Sequence, residues 1–184
     1  MKRVLMSIAL LAAATTLAAQ MQPAHKKPLS PPAKAVATMD GHTISIAYSS
    51  PRLRGRQGHI FNKGGLISHD AHYPVWRAGA NAATTLKTDA DLRIGNLTVP
   101  KGEYTLFVDV ANPSQWTLIV SRDTGEWGLS YDPTKDLGRT AMHMSKPAHL
   151  VEDLKWSMTK TGGNKGKLTL AWEYHSASVP FEVK

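Results

Sequence analysis

Tyr104-Thr105-Leu106-Phe107-Val108-Asp109-Val110 is the stretch that decides the fold class. Tyr104, Leu106, Val108 and Val110 take every second position, with Thr105, Phe107 and Asp109 between them. On an extended backbone, residues at i, i+2 and i+4 line one face of a sheet, so such a run can bury one side. The same period returns on both flanks. Ile44, Ile46 and Tyr48 carry it upstream; Trp116, Leu118 and Val120, then Leu168, Leu170 and Trp172, then Val179, Phe181 and Val183 carry it downstream. Shorter candidates lie at 84–87, 92–99, 140–144 and 154–158. Turn chemistry separates the runs, in Pro100-Lys101-Gly102, Asn112-Pro113-Ser114, Asp123-Thr124-Gly125 and Gly162-Gly163-Asn164. Past residue 37 no stretch of ten or more residues has apolar positions spaced for one helical face. The expectation is an all-β domain, an antiparallel β-sandwich of jelly-roll-like type or a partly open barrel, with one long polar loop.

The 184 residues are 42% apolar and 20% charged, too apolar for a disordered chain. There is no cysteine, which excludes disulfides, cysteine nucleophiles, thiolate metal sites and a lipidated N-terminal cysteine. Lys2 and Arg3 precede an apolar run over 4–14, and small residues follow to Ala18 and Ala19. These are the parts of a secretory signal peptide with cleavage after Ala18 or Ala19, and the run is too short for a membrane span of ~20 residues. Residues 20–36 contain Pro23, Pro28, Pro31 and Pro32 beside Lys26, Lys27 and Lys34, and read as an extended linker. A single domain is then expected over 37–184, in a protein that is periplasmic or secreted and does not span a membrane. The formal charge of +8 follows this division. From residue 37 onward 17 basic residues face 14 acidic ones, a net +3, which is no nucleic-acid footprint.

The segment from Ser49 to Thr85 departs from the strand pattern. It contains Arg52, Arg54, Arg56, four glycines between Gly55 and Gly65, and Trp76-Arg77-Ala78-Gly79-Ala80-Asn81. A loop of this length inside a compact domain is more often functional than idle. Tyr48-Ser49-Ser50-Pro51-Arg52, the tryptophan-arginine string, Pro100-Lys101-Gly102-Glu103-Tyr104 and Asp123-Thr124-Gly125-Glu126-Trp127-Gly128 stand in this order, ahead of Leu170-Ala171-Trp172-Glu173 and Val179-Pro180-Phe181. In these residues the chain resembles an exported bacterial family catalogued as domain of unknown function 2911, over about residues 36–184. The resemblance implies an all-β fold and export, and brings no reaction with it. Two departures stand out. The family pattern often has an acidic residue after the asparagine, where this chain has Ala82. The stretch 62–73 is longer than the usual connection and adds His69 and His72.

The arginines carry the leading chemical reading. Arg52, Arg54 and Arg56 alternate, so an extended backbone would point all three the same way, and Arg77 and Asn81 could converge with them. Guanidinium forks grip carboxylate, phosphate or sulfate bidentately, and Trp76 could stack on a sugar. The plainer alternative is that these groups tie the loop to carbonyls and acidic neighbours. His59, His69 and His72 are candidate metal ligands, but they offer two or three donors in no recognised spacing, so no metal is expected. Asp123-Thr124-Gly125 lacks the second carboxylate of an aspartic-protease dyad and reads as a turn. No Gly-x-Ser-x-Gly elbow and no phosphate-binding glycine string occurs, so no nucleotide cofactor, or any other, is expected. Trp116, Trp156 and Trp172 fall on inward phases, while Trp127 beside a turn is expected to be partly exposed.

Three functions fit. The first is a binding module presenting Arg52, Arg56, Trp76, Arg77 and Asn81 to a glycan or small anionic molecule. The second is a hydrolase-type enzyme acting on an exported substrate, with His59 or the His69/His72 pair moving protons and Arg77 holding an anionic group. No catalytic residue set is assigned for it. The third is a structural or assembly protein meeting another envelope protein.

Overall fold

The computed structural model describes residues 28–125 and 127–184, so the expected export signal and the first part of the expected linker lie outside the described residues. Two antiparallel sheets pack face to face, and neither closes into a barrel. One sheet holds β1 (Pro32–Met39), β2 (His42–Ser49), β4 (Thr84–Thr88), β7 (Gly102–Asp109), β8 (Thr117–Ser121) and β9 (Asp136–Ala141), in that spatial order. The short β3 (Val75–Trp76) pairs with the end of β7. The second sheet runs β11 (Val151–Gly162), β12 (Lys165–Glu173), β13 (His175–Val183), β5 (Leu92–Ile94) and β6 (Leu97–Val99), and β10 (His143–Ser145) also pairs with β13. Of the two architectures expected, this is the sandwich.

The alternating residues make the core between the sheets. Ile44, Ile46, Leu106, Val108, Leu118, Val120, Leu168, Leu170 and Val179 are all buried, as are Trp76, Trp116, Trp156 and Trp172. β7 sits in the middle of its sheet and is buried on both faces. Leu106 and Val108 face the main core, while Phe107 packs with Val75 and Ile119 in a small outer cluster covered by Tyr131. The stretch 92–99 is a hairpin folded at Gly95, whose φ is +57°. The stretch 140–144 crosses between sheets, leaving β9 at Ala141 and entering β10 at His143.

The linker expected over 20–36 needs correction at its end. β1 begins at Pro32 and pairs with β2 from Pro32↔Ser49 to Met39↔His42. Two features let a proline-rich segment join the sheet. Pro32 is the first residue of the strand, and β1 is an edge strand, so few ladder bonds need its missing N–H. Ala35 and Met39 then turn inward against the core.

Candidate functional site

Trp76-Arg77-Ala78-Gly79-Ala80-Asn81 is riveted to the sandwich at its middle. Ala78 has φ +50° and is fully buried, and its carbonyl accepts Trp156 Nε1 at 2.9 Å and Thr84 Oγ1 at 3.2 Å. Ala80 N–H donates to the Ser49 carbonyl at 3.2 Å, and Asn81 turns the chain again at φ +59°. The left-handed conformation at Ala78 is sustained because the buried bonds to its carbonyl over-determine it. Trp76 thereby enters the core, 1% exposed, stacked on Trp172 at 6.1 Å and edge-on to Phe61. It cannot serve as the exposed stacking platform expected of it.

Arg77 points the other way, into a cleft of about 400 Å³ that it shares with His69, Asp70, Asn81, Trp127 and Leu129. Its guanidinium donates to Asp70 Oδ2 at 3.1 Å and to the Asn81 carbonyl at 3.3 Å. The aspartate side chain is 7% exposed and the arginine 17%, so the charge of Arg77 is already matched by a buried carboxylate. The exposed aromatic of the cleft is Trp127, at 59%. Trp127 bridges to Ala82, and Gly128 behind it lies so close to the Asn81 carbonyl oxygen and Arg77 Cδ that a Cβ there would collide with both.

Arg52, Arg54 and Arg56 do not lie along an extended backbone. Arg52 forms a single bridge to Asp153, and the chain then turns through Arg54 at φ +52° and Gly55 at φ +76°. The turn nevertheless gathers all three around one groove of about 240 Å³. Arg52 pairs with Asp153 at 3.0 Å. Arg54 reaches the Leu29 carbonyl, and Arg56 the carbonyls of Leu53 and Arg52. Among the described residues neither Arg54 nor Arg56 has a carboxylate on its guanidinium. The groove and the Arg77 cleft share Pro51, Leu66 and Ala80 as a common wall. Of the five residues expected at one site, Arg52 and Arg56 thus line one depression, and Trp76, Arg77 and Asn81 border its neighbour.

The three histidines are not brought together. His69 edges the Arg77 cleft, His72 meets the Tyr131 ring edge-on, and His59 joins the loop through backbone bonds. Among the described residues no group of three or more His, Asp or Glu is placed to hold a metal ion.

A different histidine lines a concavity of about 510 Å³ together with Phe61, Trp116 and Glu173. Glu173, the last residue of β12, and Tyr174 make the tight turn into β13, which the Trp172↔His175 pair closes. Glu173 has φ +58° and is 3% exposed. Glycine is the usual residue at such a position, and any other costs roughly 1 kcal/mol or more. Its Oε1 accepts the backbone N–H of Gly58 from the long loop, and its Oε2 lies 3.4 Å from His175 Nδ1. That nitrogen is buried and makes no hydrogen bond. The imidazole is stacked parallel to Trp116 at 5.6 Å and tilted against Phe61 at 4.8 Å. Burial holds its pKa below the ordinary value, against the opposing pull of Glu173. Sequence reasoning missed this pair. Its one local trace is a hairpin turn written Glu-Tyr with no glycine or asparagine.

Comparison with curated proteins gave no match, and comparison with solved structures gave none. A family model described as a protein of unknown function (DUF2911) matches residues 30–181, starting just before β1 and ending within β13. The chain therefore belongs to the DUF2911 family.

Proposed function

We propose that the protein is an exported binding module for an acidic saccharide or a similar small anionic ligand, held across the two adjoining depressions. One observation carries the reading: three arginines wall a groove that is continuous with a cleft rimmed by an exposed tryptophan. Arg54 and Arg56 bond backbone carbonyls only, so their charge remains to be matched by an incoming carboxylate or sulfate. Trp127 supplies a flat apolar face of the kind that stacks on a sugar ring, and Asn81 lines the same cleft. Arg77 acts in this reading as a positioning residue, because Asp70 already neutralises it.

Titration calorimetry against paired acidic and neutral oligosaccharides tests the proposal. The acidic member should bind more tightly. Arg54→Ala with Arg56→Ala should cost it about 10-fold or more while sparing the neutral one, since tenfold corresponds to ~1.4 kcal/mol. Trp127→Ala should weaken both. Equal affinity for the two sugars, or indifference to both sets of variants, overturns the reading. Export is a separate part of the proposal, supported by Lys2, Arg3 and the apolar run after them. N-terminal sequencing of protein from a periplasmic fraction should begin at Ala19 or Gln20.

A further inference from the structure

The cavity holding Glu173 has the opposite polarity from the arginine groove. Its lining is largely aromatic and apolar, with Phe61, Val110, Pro113 and Trp116, and Gln57 and Asn62 are its neutral polar members. Within 4 Å the ionisable neighbour of Glu173 among the described residues is His175, which burial disfavours as a cation. Among the described residues no lysine or arginine lines the space. A carboxylate removed from water without a cationic partner is costly, and it is kept here on a backbone that favours glycine. Its bond to the Gly58 N–H satisfies one oxygen and leaves the second beside an imidazole with which it makes no hydrogen bond.

Four ligand classes meet these facts differently. An anion would meet the carboxylate and be repelled. A neutral apolar molecule would cover the rings but leave the charge buried and unmatched. An organic cation answers both features, donating N–H to the carboxylate while its charge lies against aromatic faces. A metal ion would find one carboxylate and one imidazole, fewer than the ligand set it needs. We infer that the Glu173 cavity is a second binding site, for a protonated organic amine.

Three probes of one shape test it: benzylamine as the cation, benzyl alcohol as the neutral isostere and benzoate as the anion. Binding is followed by NMR shifts of the His175 imidazole and Trp116 indole signals. At pH 7.5 benzylamine should bind at least 10-fold more tightly than benzyl alcohol, and benzoate should not bind. Glu173→Gln should abolish the preference for benzylamine and leave benzyl alcohol unchanged. Glu173→Gly should do the same while matching or exceeding the wild type in stability, because glycine suits φ +58°. The inference is overturned if the wild-type protein fails to prefer benzylamine, whatever the variants do. It is also overturned if the preference survives Glu173→Gln, or if Glu173→Gly loses stability, which would make the carboxylate a structural tie to Gly58. Saccharide binding at Arg54, Arg56 and Trp127 is a separate measurement, so the two proposals fail independently.

Discussion

Arg77 and Asp70 meet at 3.1 Å in a cleft wall where neither side chain is more than 17% exposed. Arg77 Nε is buried there without a hydrogen-bond partner, so the guanidinium is held by its two terminal nitrogens alone. The tryptophan-arginine string therefore places a charge whose partner lies seven residues upstream in the same long loop.

Removing either member should destabilise the fold more than an exposed pair would. Arg77→Ala leaves Asp70 buried and uncompensated, at a cost of about 3 kcal/mol. Asp70→Asn should cost a comparable amount, and replacing both by leucine should cost clearly less than the sum. Urea denaturation of the four proteins measures the coupling. Additive losses under 1 kcal/mol would show that the pair is only a surface contact.

Gly128→Ala should push the Trp127 segment away from Asn81 and Arg77, since the new methyl has no room against a backbone oxygen. Overpacking of this kind costs about 1–3 kcal/mol. Trp127 is the exposed tryptophan against four buried ones, so acrylamide quenching of fluorescence reports on it. The quenchable fraction should rise in the variant; an unchanged fraction with unchanged stability would contradict the packing described.

The tryptophans should separate cleanly by role. Trp127→Ala should change stability by less than about 0.5 kcal/mol while weakening saccharide binding. Trp172→Ala opens a cavity beside Trp76 and Phe61 and should cost about 3–5 kcal/mol. Thermal denaturation distinguishes them, because each 1 kcal/mol moves the midpoint of a domain this size by about 2–4 °C.

His175 should make stability fall on acidification. Its pKa in the folded protein lies below the ordinary 6.5, chiefly because the ring is buried, with Glu173 opposing the shift only in part. Between the folded value and 6.5 the unfolded chain binds more protons, so stability rises with pH across that window. The contribution is complete above about 6.5 and drains away as pH falls toward the folded value. His175→Phe keeps a ring against Trp116 and removes the titration. Urea midpoints at pH 7.5 and 5 should therefore differ more in the wild type than in the variant. Equal differences would mean that the imidazole titrates normally.

Much of the sandwich is legible in period-two runs because burial between two sheets imposes that period on the residues. Leu106, Val108, Leu118, Leu168, Leu170 and Val179 stand where alternation puts them. Pro32–Met39 is harder to read, since prolines and lysines signal a solvated linker unless the neighbouring edge of β2 is known to be free. The arginine segment was legible as chemistry but not as geometry. Positive φ at Arg54, Ala78 and Asn81 breaks the alternation from which side-chain directions were inferred. Trp76 shows the same limit: a tryptophan beside an arginine gives no local sign of which of the two turns inward.

The sequence by itself determined that the domain is all-β, which tryptophans outside the long loop form its core, and which family it belongs to, because periodicity and motif strings are local properties. Tertiary structure alone decided that Arg77 is spoken for by Asp70, that Trp76 turns into the core, and that Glu173 lies beside His175 under Gly58. Gly58 and Glu173 are 115 positions apart along the chain. Their meeting depends on how the long loop folds back over the β12–β13 hairpin, and no local pattern in either segment encodes the other.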